Sequence, residues 1–115
     1  MIFMLTSEQR LSAIQRLGRA LADPTRCRLL LALLDGPAYP AHLAERLGLT
    51  RQNVSNHLAC LRECGLVTTT AQGRQVSYEL VDPSLAHALD DLLRVVWGVA
   101  AEHVPPGESE PVRAG

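Results

Sequence analysis

A mainly α-helical fold of about five helices carrying one β-hairpin is the class that this sequence predicts. Three observations predict it. Apolar residues recur at helical spacing near both ends of the chain, a short helix, a glycine-containing turn and a second helix fill the middle, and an alternating run after them reads as paired strands.

Taken in order, Leu11, Ile14, Leu17 and Leu21 mark one face of a helix from about Ser7 to Leu21. Asp23 then suits a helix N-cap and Pro24 the first helical turn, where its missing N–H has no partner to lose. The helix they start is expected to reach about Leu34, with Cys27, Leu30, Leu31 and Leu34 on one face and Leu29 and Leu33 widening it, before Asp35-Gly36-Pro37 ends it. A short helix from Pro40 to Leu47, the turn Gly48-Leu49-Thr50, and a helix opening at Arg51 with Thr50 as its cap form a helix-turn-helix. Gly65 stops the second of these helices. Leu66 to Thr70 and Arg74 to Val81 read as strands joined across Ala71-Gln72-Gly73, with Val76, Tyr78 and Leu80 inward and Ser77 and Glu79 wet. This hairpin is a wing, so the class is a winged helix-turn-helix. Asp82-Pro83 repeats the capping logic for a last helix to about His103, where Leu85, Leu89, Leu92, Val96 and Val99 form a stripe widened by Leu93 and Trp97. Long apolar helices at both ends exceed what one small core requires, which predicts a homodimer through the terminal helices.

At 115 residues the chain fits one domain, expected over residues 1–104, followed by a polar tail over 105–115 that reads as disordered. The longest apolar stretch, Val95 to Ala101 counted through Gly98, is far shorter than the roughly 20 residues of a membrane span, so no membrane partner is expected. The apolar start, Met1 to Leu5, lacks the basic region and cleavage pattern of a secretory signal, and a cytoplasmic address is expected. No nucleophile–base pair or glycine-rich phosphate loop is evident, which argues against an enzyme. The net charge of −1 conceals a gradient: residues 46–75 hold four Arg against Glu63 alone, whereas residues 76–115 hold two Arg against seven acids. Positive charge therefore gathers on the helix-turn-helix and hairpin.

Along the helix from Arg51, a turn of 100° per residue places Val54, Leu58 and Leu61 on the core side and Gln52, Ser55, Asn56 and Ala59 on the opposite side, with Arg51 and Arg62 on its flank. Short amides, hydroxyls and arginines can bond base edges or phosphates, so this face is the candidate contact with double-stranded DNA, with Gln52 and Asn56 as base readers. Arg74 at the wing turn can reach a phosphate or the minor groove, and His57 could also bond phosphate. The plainer alternative is a merely solvated helix face.

Asn53, His57, Cys60 and Cys64 form a further stripe between the core and groove faces. Cys60 and Cys64 are one turn apart, about 5–6 Å at Cβ, so two thiolates can converge on a soft cation. The same pair could pack as small apolar residues or act as a redox switch. A soft divalent ion wants three or four ligands, and His57, Glu102 and His103 are candidates to join, His103 from the apolar stripe of the last helix and across a dimer. Cys27 is expected to serve packing alone, and His87 with Asp91 to form a solvated pair.

Leu21-Ala22-Asp23-Pro24-Thr25-Arg26, Leu49-Thr50-Arg51-Gln52-Asn53-Val54-Ser55-Asn56-His57-Leu58 and Leu61-Arg62-Glu63-Cys64-Gly65-Leu66-Val67 together resemble the ArsR/SmtB family of metal-sensing repressors over about residues 7–103. Cys60 and Cys64 resemble the pair carried by its cadmium- and lead-sensing branch. The resemblance implies a metal-responsive transcriptional repressor that holds operator DNA as a homodimer and is released by a soft divalent metal of the cadmium, lead or zinc class. It implies Cys60 and Cys64 as metal ligands; His103 is a candidate third by its place on the last helix and not by the resemblance. The branch's own third ligand is a C-terminal cysteine, and this chain has none after Cys64; Pro105 stands about there. The arsenic-type cysteine motif is absent from Tyr39 to Leu47, and the zinc-type Asp/His set of the last helix is not reproduced. A thiol-redox repressor and a winged-helix protein-interaction module without DNA binding are the alternatives.

Overall fold

The computed structural model describes residues 4–102. Helices α1 (Ser7–Leu21), α2 (Pro24–Leu33), α3 (Pro40–Leu47) and α4 (Arg51–Glu63) are followed by strands β1 (Val67–Gln72) and β2 (Gln75–Leu80) and by α5 (Pro83–Glu102). The contacts divide at Asp82 into two compact units, and each is described by itself.

Local signals set the helix boundaries. Thr6 caps α1 in a capping box, its hydroxyl accepting the Gln9 N–H while the Gln9 side chain accepts the Thr6 N–H. Asp23 caps α2 by accepting the Arg26 N–H at 3.0 Å, with Pro24 behind it. Gly48, at φ 69°, ends α3 in the left-handed conformation that a side chain would resist, and Thr50 accepts the Asn53 N–H to start α4. The predicted helix-turn-helix therefore lies where the capping residues put it.

Its core is one cluster built around Leu29, Leu30 and Leu33 of α2, Leu43 of α3, Val54, Leu58 and Leu61 of α4, and Val67 of β1. All three inward residues of α4 are fully buried, as the helical period requires. From α1 only Ala20 is buried: Leu11 and Ile14, on its predicted apolar face, are exposed. Leu31 is exposed too, because the core takes the Leu29, Leu30, Ala32 and Leu33 side of α2 and leaves the remainder of a helix that is apolar nearly all round.

The wing differs from its sequence reading in two respects. Its strands pair from Val67 opposite Leu80 to Gln72 opposite Gln75, leaving a two-residue turn at Gly73-Arg74 in place of a link across Ala71-Gln72-Gly73. Glycine at the first turn position, with φ 66°, is what a tight hairpin of this length needs. Burial also fails to follow the alternation on β2, since Val76 is 42% exposed and Ser77 only 6%. Val76 sits opposite Ala71 toward the tip, beyond the helical core, whereas Tyr78 and Leu80 at the base pack on that core. The base is pinned by reciprocal backbone bonds between Ala38 and Tyr78, at 2.8 and 2.9 Å, which tie the wing to the segment leading into α3.

On helix α5, Leu89 of the predicted stripe is buried and Leu85 half-buried, whereas Leu92, Leu93, Val96 and Trp97, with neighbouring Val95, are exposed, and the side chain of Val99 lies outside the described residues. Asp91, expected beside His87, instead pairs with Arg94 at 2.7 Å, and Asp90 also pairs with Arg94 at 2.9 Å. No helix among the described residues is long and apolar enough to cross a membrane. The polar tail expected over residues 105–115 lies outside the described residues.

Candidate functional site

With Val54, Leu58 and Leu61 directed inward, Arg51, Gln52, Ser55, Asn56, Ala59 and Arg62 are left exposed together on the outer side of α4. Gln52 Nε2 donates to Asn56 Oδ1 at 2.9 Å, so the two candidate base readers hold each other across one helical turn and keep free polar edges outward. Arg74 is exposed at the wing turn.

The arginines of α2, the helix-turn-helix and the wing fall into two groups. Arg26, Arg28 and Arg46 are committed: Arg26 bonds the Arg19 and Ala20 carbonyls, Arg28 the Leu47 carbonyl at 2.8 Å, and Arg46 the Asp35 carboxylate. Arg51, Arg62 and Arg74 hold no side-chain hydrogen bond or ion pair among the described residues, so their guanidinium groups keep all their donors for an external anion. Arg51 and Arg62 line a groove of about 430 Å³ that Tyr39, Ser55, Gln75 and Tyr78 also border, between α4, the start of α3 and the wing. Tyr39 donates its hydroxyl to Gln72 Oε1 at 2.6 Å and so fastens the wing beside this groove. Sequence reasoning missed Tyr39 and Gln72, because a contact across 33 positions leaves no local periodic signal.

The stripe between the two faces is half-buried. Cys60 and Cys64 are both free thiols of intermediate exposure, one helical turn apart and joined through their backbone by a Cys64 N–H to Cys60 carbonyl bond of 3.0 Å. Two soft donors with partial access suit a soft cation. No group of three His, Cys, Asp or Glu side chains that could hold a metal is formed among the described residues. His57 is accordingly not brought to the pair, and His103 lies outside the described residues. Cys27 donates its thiol to the Leu21 carbonyl at 3.2 Å, in a packed position.

His57 turns toward α2 rather than outward. Its Nδ1 lies 3.4 Å from Arg26 Nη1 and 3.8 Å from Asp23 Oδ2, and its side chain is only 21% exposed. The Arg26 backbone N–H, chiefly, holds the Asp23 carboxyl below the usual carboxylate range, with burial opposing.

Residues 23–69 match the model of the bacterial regulatory protein arsR family. The HTH-type transcriptional regulator CmtR of Mycobacterium tuberculosis is 61% identical over 112 residues, covering 92% of this chain and 95% of that protein. The NMR structure of the cadmium metal-sensor CmtR of that organism resembles the chain with a TM-score of 0.62 at 68% identity, over 71% of this chain and 85% of that one. A homodimeric winged helix-turn-helix DNA-binding domain from Mycobacterium bovis, a possible ArsR-family regulator, matches with a TM-score of 0.74 at 26% identity, over 90% of this chain and 96% of that one.

Proposed function

The chain belongs to the arsR family of bacterial regulatory proteins, and on that premise we propose that it is a metal-responsive transcriptional repressor. It binds operator DNA as a homodimer in the cytoplasm, catalyses no reaction, and leaves the DNA when a soft divalent metal of the cadmium, lead or zinc class binds. The observation that carries the DNA reading is the uncommitted set on α4 and the wing turn: Arg51, Arg62 and Arg74 without partners among the described residues, with Gln52, Ser55 and Asn56 exposed beside the first two. Arginine with nothing to neutralise it, beside short polar groups on a helix whose other face is fixed in a core, is what phosphate contact and major-groove readout require. The exposed apolar faces of α1 and α5 supply the homodimer, which sets two copies of α4 toward successive major grooves.

Cys60 and Cys64 supply the effector site, with His103 as the further ligand. The cadmium named for the relative's sensor is a soft cation, and thiolates are the donors such a cation selects. Because Cys60 lies in α4 and Cys64 caps its C-terminal end, drawing them onto one ion acts on the helix that bears Gln52 and Asn56. Coupling between such sites is typically about 1–3 kcal/mol, or some five- to 150-fold in operator affinity. Cys60→Ser and Cys64→Ser are therefore expected to bind promoter DNA normally and to lose release by Cd²⁺, read by fluorescence anisotropy of labelled promoter DNA. Release that persists unchanged in both variants would place the effector site elsewhere.

A further inference from the structure

We propose that Arg26 and His57 are positioning residues for operator recognition, locking the rotation of α4 against the corner between α1 and α2; His57 thus acts without touching DNA. The proposal rests on the DNA-binding reading above and deepens it.

Four contacts meet at one guanidinium or beside it. Arg26 Nε donates to the Ala20 carbonyl at 3.0 Å and Nη2 to the Arg19 carbonyl at 2.8 Å, two acceptors at the C-terminal end of α1, of which the Arg19 carbonyl also takes the Ala22 N–H. The Arg26 backbone N–H donates to Asp23 Oδ2 at the start of α2. The remaining Nη1 faces His57 Nδ1 of α4 at 3.4 Å. An arginine can only donate, so a hydrogen bond between them takes Nδ1 as its acceptor. The Asp23 carboxylate, at 3.8 Å from the same nitrogen, flanks the contact. One side chain therefore joins three helices, and all three participants are half-buried.

Such a latch has a physical purpose that the core cannot serve. Val54, Leu58 and Leu61 hold α4 by apolar burial, which is non-directional and tolerates a small turn of the helix about its axis. Base readers tolerate much less, since a recognition constellation must be kept within roughly 10–20° of its working geometry. A directional bond on the flank of the helix, one residue beyond Asn56 and five beyond Gln52, supplies the missing constraint. The planar fork of arginine can bridge three acceptors at fixed angles, and lysine cannot.

The test measures operator affinity of the reduced full chain against salt concentration for His57→Leu, His57→Gln and Arg26→Lys, with thermal unfolding run alongside so that only folded protein is compared. His57→Leu and Arg26→Lys are each expected to weaken binding about tenfold, and their double variant by little more than either alone. The slope of log affinity against log salt stays at the wild-type value, and His57→Gln, which keeps an acceptor, recovers most of the loss. A slope reduced by about 0.9 in His57→Leu would mean a lost phosphate contact and overturn the proposal. Unchanged affinity in folded Arg26→Lys and His57→Leu would overturn it as well. Failure of the wild-type chain to bind its promoter DNA, a separate arm, would overturn the DNA-binding reading together with it.

Discussion

Helix α4 and helix α5 carry the same kind of apolar repeat and resolve it in opposite ways. On α4, Val54, Leu58 and Leu61 are completely buried within the chain's own core, and what remains outward is polar. On α5, Leu92, Val96 and Trp97 stay exposed, and on α1 so do Leu11 and Ile14. A periodic stripe states that a helix face needs a partner; the location of that partner is a tertiary matter. Where the partner lies in the same chain, the helix becomes a rigid platform able to offer side chains to DNA. Where a stripe is left open, a second copy can cover it, and the same pattern becomes an assembly signal.

The contrast can be broken experimentally at either end. Leu58→Ala, in the closed core, is expected to cost about 2–5 kcal/mol of folding stability, measured by chemical denaturation. An effect below about 1 kcal/mol would mean that α4 is not held as its burial indicates. Val96→Glu, on the open stripe, is expected to leave the core folded and convert the dimer to monomer in analytical ultracentrifugation. Operator affinity then falls by about a hundredfold, because one half-site alone is engaged. A dimer that survives this change would put the interface off α5.

The smallest effect concerns the corner between α1 and α2, at the α2 cap. The Asp23 carboxyl is more acidic in the folded chain than its ordinary value of 3.8, so its contribution is full above that value and is lost as pH falls through the lower, folded one. Thermal unfolding followed downward from about pH 5 should therefore show a loss of stability that Asp23→Asn, which preserves the cap without a charge, reduces. An identical acid profile in wild type and Asp23→Asn would remove the cap's charge from the account.

The parts of this fold that could be read from sequence are those fixed by neighbours in the chain. Asp23-Pro24, Thr50 and Gly48 place the starts and the turn of the helix-turn-helix through local caps, and the period of α4 sorts its buried and exposed residues correctly. The turn of the wing was less legible, since Ala71 and Gln72 have no local feature excluding them from the strand and the deciding fact is pairing with Gln75 and Val76. Leu31, Val76 and Ser77 depart from their periodic expectation because the extent of the core, and not side-chain type, decides their cover. Near the site, spacing makes Cys60 and Cys64 neighbours one turn apart without saying what they bind, whereas the inward turn of His57 depends on Arg26, 31 residues away. The nearest sequence signal was Asp23 itself, a cap whose carboxylate has room for a further partner.

The central claim is that one helix both reads DNA and receives the metal. Its most direct test is a titration of the reduced dimer, bound to labelled promoter DNA, with Cd²⁺ while thiolate-to-metal absorption in the ultraviolet and DNA anisotropy are recorded together. The absorption band is expected to grow and the DNA to be released over the same range of added metal. Growth of the band with the DNA still bound, or release with no band, would contradict it.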